Sequence, residues 1–467
     1  MTGVGRSTPN SELVVPTTRL GADRLTLIGL LVALYLAVFL CQLDVCLLRL
    51  ERLRFPSVYL LLVSLGLMSV AIWHLNPGQT RRIYQGCSGA IWAFALIAGV
   101  ALVGSALPAA NLADGGKYVL YPTIDFLVFL LALPLAALFA SQSNWRAACG
   151  TALCALVISI LVDARHPGTF SFLETRAAGF GVNPNIGAAM SVLLLLGVLD
   201  WKRPTLSLMT CGWCLVAFTG VILTLSRSGV LVLGIVGMLY VRRCVHRNGA
   251  RTAVVLSGLI FAAGGYALIA ADAAKRVLPM LNSNHTRTVS FLSGEVDTLD
   301  VLEDSRLSLV YEFLAMIEER PLLGWGTGLN YSVEVGAHNM FLARWVENGL
   351  AGLGAYLLLI GMLYRIGRKF QSAECVAVAV FLTAESFFSH NLLEDKSLLL
   401  MMSITAGRAV LNSPQPDRTA MFTRSHATWS IPQNSRFAKA CDATIVLRQM
   451  RRAAPPTQNR HIKDVRN

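Results

Sequence analysis

His338 is followed by Asn339 and, nine residues further on, by Gly349-Leu350-Ala351-Gly352, so the polar stretch AHNMFLARWVENGLAG at 337–352 runs straight into the apolar LGAYLLLIGML. An imidazole, with an unperturbed pKa of about 6.5, keeps a neutral fraction near pH 7 that can accept a proton from a hydroxyl. Three arginines stand at similar polar-to-apolar borders: Arg176 in ETRAAGFGVNPN, Arg227 in LTLSRSG and Arg306 in RLSLVYEFLAMIEE. A guanidinium stays charged at any relevant pH and matches phosphate oxygens with a planar fork of donors. One base and a set of such forks are the parts needed to move a group from a phosphate to a hydroxyl.

Each of these residues has a plainer reading. Arg227 sits in a turn so short that its side chain either snorkels to a lipid interface or holds a phosphate. Arg306, in the first turn of a surface helix, can simply be solvated, and Glu174 is close enough in sequence to pair with Arg176. Asn183 and Asn185, in GFGVNPN, either bind sugar hydroxyls or cap a turn. Trp325, within the glycine-rich GWGTG, either stacks on a sugar or packs its loop; no strand precedes that segment, so it is not a dinucleotide loop. A histidine at an interface is often satisfied by a backbone group, and His390-Asn391 supplies a second His-Asn pair, with His390 as the fallback base. If the chain from His338 is a continuous helix, Leu342, Trp345, Gly349 and Gly352 share its stripe, whereas Glu347 faces away and pairs with Arg344.

These residues must be carried by membrane helices. The chain of 467 residues is 54% hydrophobic and 14% charged, with mean hydropathy +0.57, whereas soluble domains carry about 25% charged residues. Crossing a hydrocarbon core takes roughly 20 helical residues. Apolar runs suited to this recur near 26–47, 57–74, 87–107, 119–140, 146–162, 184–199, 205–224, 229–241, 252–271, 349–364, 373–389 and 397–411. The expected fold is therefore an all-α polytopic membrane protein with about twelve transmembrane helices. The first run lacks a following cleavage site and reads as a retained helix, not a signal peptide.

With the N-terminus in the cytoplasm, most of the 40 Lys and Arg fall in cytoplasmic loops and tails, as the positive-inside rule requires; RLERLRF at 49–55 dissents. The net charge of +13 is accordingly not a nucleic-acid signal. The layout expected is a cytoplasmic tail (1–25), spans one to nine (26–271), a periplasmic insertion with an amphipathic helix (272–346), spans ten to twelve (347–411) and a basic, disordered cytoplasmic tail (412–467). Within the insertion, Val310, Phe313, Leu314 and Ile317 form a helical stripe, with Asp304 or Ser305 at its start and Pro321 at its stop. The ten cysteines lie mostly within spans and read as small apolar fillers, including CGWC at 211–214. There is no HExxH, zinc spacing or DxD, so neither a metal nor a cofactor is indicated.

The motif H-N-X9-G-L-A-G resembles that of the O-antigen ligases and, more broadly, of the ligase and polymerase superfamily of bacterial surface polysaccharide assembly. NPN, TLSRSG, the Arg-led helix ending in RPLLGWGTG, and HNMFLARWVENGLAG occur in the family's order, and the resemblance spans roughly 176 to 395. It implies a GT-C-like glycosyltransferase in the inner membrane that moves a glycan from undecaprenyl pyrophosphate to lipid A-core on the periplasmic face, inverting and without a metal. His338 then falls on the family's base, Arg227 and Arg306 on its pyrophosphate clamp, and Arg176 as a third. Asn339, Trp325, Asn183 and Asn185 become candidate contacts for the glycan or acceptor. A polymerase of the same superfamily would use a growing lipid-linked glycan as acceptor. A twelve-span transporter is the alternative of a different class, to which mid-span Asp44, Asp125 and Glu385 lend some support.

Overall fold

A computed structural model describes residues 19–52, 56–106, 115–172, 176–249, 305–333 and 336–413. The expected ninth span, most of the insertion and both tails lie outside these residues. All regular structure among the described residues is helical. The first four helices are α1 (Arg19–Leu40), α2 (Leu43–Arg49), α3 (Ser57–Leu75) and α4 (Pro77–Gly104). α5 (Gly115–Ala132), α6 (Gln142–Arg165), α7 (Pro184–Val198), α8 (Leu208–Leu223) and α9 (Arg227–Asn248) follow. After the gap come α10 (Ser305–Glu319), the short α11 (Leu329–Ser332), α12 (Met340–Lys369), α13 (Ala373–Glu385) and α14 (Lys396–Asn412).

Six of the described helices are long and apolar enough to cross a membrane, or seven if α1 and α2 form one bent span, and α7 and α8 are shorter apolar helices. Leu31, Val63, Leu67, Trp92, Val103, Leu208 and Met238 are exposed on the outside of the bundle, as lipid-facing side chains would be. α7 and α14 differ: their apolar residues are buried almost all round, so they form the centre about which the others pack. Small residues permit this closeness. A Cβ on Gly407 of α14 would lie 2.5 Å from Ala136 Cβ, and one on Gly197 of α7 would meet Cys149 Sγ, the kind of approach membrane helices achieve with glycine and alanine.

Three expected spans are interrupted, each for a visible reason. The first breaks by 49° between α1 and α2, where Gln42 takes φ +66°. Its amide donates to Asp395 Oδ1 and Ser397 Oγ, each at 2.7 Å, so the turn is tied to the start of α14. α5 tightens into a 3₁₀ segment at Leu133–Ala137, where Pro134 lacks the N–H that an α-helix requires. α12 begins at Met340, well before the apolar run, and leaves helical geometry at Asn348 and Gly349.

Candidate functional site

The backbone is held on both sides of His338. Asn330 Oδ1 accepts the Ala337 N–H at 2.8 Å, and Ser386 O accepts that of Met340 at 2.8 Å. Asn339 is the N-cap of α12, its side chain accepting from Phe341 N and Leu342 N, which satisfies two of the otherwise orphaned donors of a helix start. Between these anchors His338 adopts φ +45°, a left-handed conformation that costs a non-glycine residue about 1 kcal/mol or more. The histidine is thus presented from a pinned turn, not from a helix face. The expected helical stripe linking it to Gly349 and Gly352 does not exist, because α12 starts two residues later and breaks at Gly349.

The break explains the glycines differently. At Gly349, with φ +61°, an added Cβ would fall 2.0 Å from Leu322 O; at Gly324, with φ +73°, it would lie 2.5 Å from Gly349 N. The chain PLLGWGTG therefore runs directly over the broken turn. It donates Trp325 N–H to Val346 O and Gly326 N–H to Glu347 O, both at 2.8 Å, and accepts Leu350 N–H at Pro321 O, 3.0 Å away. Carbonyls and an amide released by the break are in this way paired with the loop. Glu347 Oε1 accepts Gly328 N–H and Asn330 N–H, both at 3.3 Å, and Arg344 Nη1 stands 3.7 Å from Glu347 Oε2. The buried Arg344–Glu347 pair thus fastens α11 and its Asn330, which in turn holds the His338 turn.

His338 opens onto a cavity of about 260 Å³ shared with Asn183, Asn185, Gln42, Glu385, Ser389, His390, Asn391, Glu394, Asp395 and Lys396. The imidazoles of His338 and His390 meet edge to face, centroids 5.3 Å apart. Burial, reinforced by the neighbouring His338, pulls His390 down to about 4, so it is neutral at physiological pH. Burial also pushes Glu394 up to about 8 and raises Asp395. The sole lysine on the wall, Lys396, donates to Asp44 Oδ2 at 2.5 Å and Ser57 Oγ at 2.8 Å, and this pair closes the cavity toward α3.

Beside the cavity the SRSG turn is bracketed by Arg176. Its Nε donates to Thr224 O at 3.1 Å, and its Nη2 to Leu225 O and Asn185 Oδ1, both at 3.2 Å. The guanidinium thereby caps the carbonyl end of α8. Ser226 caps α9 through Gly229 N–H and donates its hydroxyl to Asn185 Oδ1 at 3.1 Å. Arg227 is the next residue, the first of α9 and exposed. Asn183 caps α7 by accepting Asn185 N–H.

The structure thus gathers His338, His390, Asn183 and Asn185 on one cavity and joins Arg176 and the Arg227 turn to it through Asn185. Neither Arg176, Arg227 nor Trp325 is among the lining residues. Trp325 is engaged elsewhere, its Nε1 donating to Met316 O at 2.8 Å and its ring covered by Arg320 at 4.2 Å. Arg306 is the second residue of α10, and its side chain lies outside the described residues. α10 itself packs on α12 through Phe313 and Ile317, while Leu314 stays exposed. Sequence reasoning did not place Gln42, Glu394, Asp395 or Lys396 at the site. Glu385 carried the one available signal, a carboxyl group in an apolar run, but it pointed to transport instead.

No curated protein matches the chain. A family model described as O-antigen ligase matches residues 212–357, a segment that contains the Arg227 turn, the PLLGWGTG loop, His338 and both glycines of the broken helix. With several apolar helices of spanning length around that segment, the chain is a multi-pass membrane protein whose residues 212–357 are similar to the O-antigen ligase family.

Proposed function

We propose that the protein transfers a glycan from undecaprenyl pyrophosphate to a hydroxyl of lipid A-core on the periplasmic face of the inner membrane. The observation that carries this reading is the placement of His338, a base on a rigid, strained turn, at the mouth of a cavity rich in amides and carboxyls, next to the Arg176–Asn185–Ser226 bracket that sets Arg227. His338 takes the proton of the attacking hydroxyl. The oxygen forms a bond to the anomeric carbon as the bond to pyrophosphate breaks, which inverts that carbon. Arg227 and Arg306 stabilise the charge gathering on the departing pyrophosphate, a contribution of several kcal/mol, roughly, for such donors in a dry site. No step calls on a metal.

A polymerase shares every one of these parts and differs in its acceptor, a second lipid-linked glycan. Transport is the reading of a different class. Its support is the bent α1–α2 pair with buried Asp44, but Asp44 is already bound to Lys396 and Ser57. Deleting the gene and resolving surface polysaccharide on gels separates the three. A ligase leaves lipopolysaccharide without long chains while lipid-linked polymer accumulates. A polymerase leaves single repeats, and unchanged glycans contradict both.

A further inference from the structure

Glu385, at the end of α13, is only 2% exposed, lines the cavity, and has its Oε2 without a hydrogen-bond partner among the described residues. His390 Nδ1, on the same cavity, is likewise buried and unpartnered. Native interiors pair nearly all such atoms, because an unmet buried polar group costs about 1–3 kcal/mol. Two of them turned toward one cavity ask for a polar ligand.

The character of the walls identifies it. Carboxyl groups of Glu385, Glu394 and Asp395 line the space, its one ammonium is held by Asp44, and no arginine contributes. With its one cation engaged and no guanidinium on it, such a wall offers phosphate no counter-charge and suits neutral hydroxyls, which exchange hydrogen bonds with a carboxyl group, an imidazole or an amide. The cavity's 260 Å³ or so falls short of the roughly 300 Å³ at which pockets for drug-sized ligands begin, so it takes a single sugar unit more readily than a chain. His338 shares these walls, and the hydroxyl it deprotonates must lie within hydrogen-bond reach. Gly336 keeps the space open on the histidine side: a Cβ there would come within 2.9 Å of His390 Nε2.

We propose that Glu385 and His390 form the hydroxyl-binding subsite for the acceptor sugar, apart from the arginines that hold the donor pyrophosphate. This rests on the glycan-transfer reading above. Glu385 accepts a hydrogen bond from one acceptor hydroxyl and His390 engages a neighbouring one, which turns the nucleophilic oxygen toward His338.

The test uses the full-length protein in liposomes, with undecaprenyl-pyrophosphate-linked glycan as donor and, in parallel, lipid A-core or a second lipid-linked glycan as acceptor. Initial rates are measured against each substrate for wild type, Glu385→Ala and His390→Ala, which remove the hydrogen-bonding groups, the second variant carrying the test if the first does not fold. The expected result is an acceptor KM raised tenfold or more, by rough analogy with a lost hydrogen bond to a buried group, with the donor KM unmoved. An unchanged acceptor KM, as expected if water fills the cavity and the two groups are structural, overturns the subsite. So does a rise confined to the donor KM. Wild-type protein that transfers to neither acceptor overturns the functional reading and the subsite together, an outcome distinct from transfer with unaltered KM.

Discussion

The ring of His338 meets that of His390 edge to face, centroids 5.3 Å apart and planes at 77°. The two do not have equal claims as base. Drawn down to about 4 by burial and by its neighbour, His390 binds a proton too weakly to compete for one near pH 7. His338→Gln is therefore expected to lower transfer by about 10²- to 10⁴-fold, the usual worth of a general base, whereas His390→Gln keeps turnover within about tenfold of wild type at saturating acceptor. Single-turnover rates on the two variants check this order.

Gly349 and Gly354 lie on the same helix but in opposite circumstances. A Cβ at Gly349 would strike Leu322 O at an unfavourable φ, whereas one at Gly354 meets nothing within 4 Å. Gly349→Ala should destabilise the protein by about 2–4 kcal/mol and displace the PLLGWGTG loop. Gly354→Ala should be neutral or slightly stabilising, since alanine is favoured over glycine in a helix by about 1 kcal/mol. Thermal unfolding in detergent distinguishes the two.

Glu394 gives a pH dependence of definite sign. Its folded-state pKa, raised from 4.5 to about 8, means that the unfolded chain releases this proton first as pH rises. The stability tied to the neutral carboxyl is complete below 4.5 and is lost progressively until about pH 8. Glu394→Gln keeps the neutral form at every pH. Its Tm should exceed that of the wild type by more at pH 8 than at pH 5, and a difference independent of pH would contradict the assignment.

Arg176 and Arg227 should separate in what they damage. Arg176 brackets the end of α8 through Thr224 O and Leu225 O, so Arg176→Ala is expected to lower stability by about 1–3 kcal/mol. Arg227 is exposed at the start of α9, and Arg227→Ala should leave Tm nearly unchanged while transfer is lost. Parallel melting curves and transfer assays on both variants measure this.

The elements were legible wherever apolar runs were long, because lipid forces each to satisfy its own backbone. Their interruptions were not. The break at Gln42 depends on Asp395 and Ser397, which are hundreds of residues away, and that at Gly349 on the loop from Pro321. The spacing of His338, Gly349 and Gly352 was visible in the sequence, yet its cause is not a shared helix face. It is a strained turn followed by a break that accommodates another loop. Asn183 showed its capping role in its setting before a proline. Glu385 gave no hint of its neighbours, since the cavity brings together residues from four separate stretches of chain.

The most direct test is transfer from undecaprenyl-pyrophosphate-linked glycan to lipid A-core by the purified protein in liposomes, comparing wild type with His338→Ala after confirming equal Tm. The account predicts rapid formation of glycan-bearing lipid A-core by the wild type and none above background by the variant. Product formed by His338→Ala at the wild-type rate would contradict it.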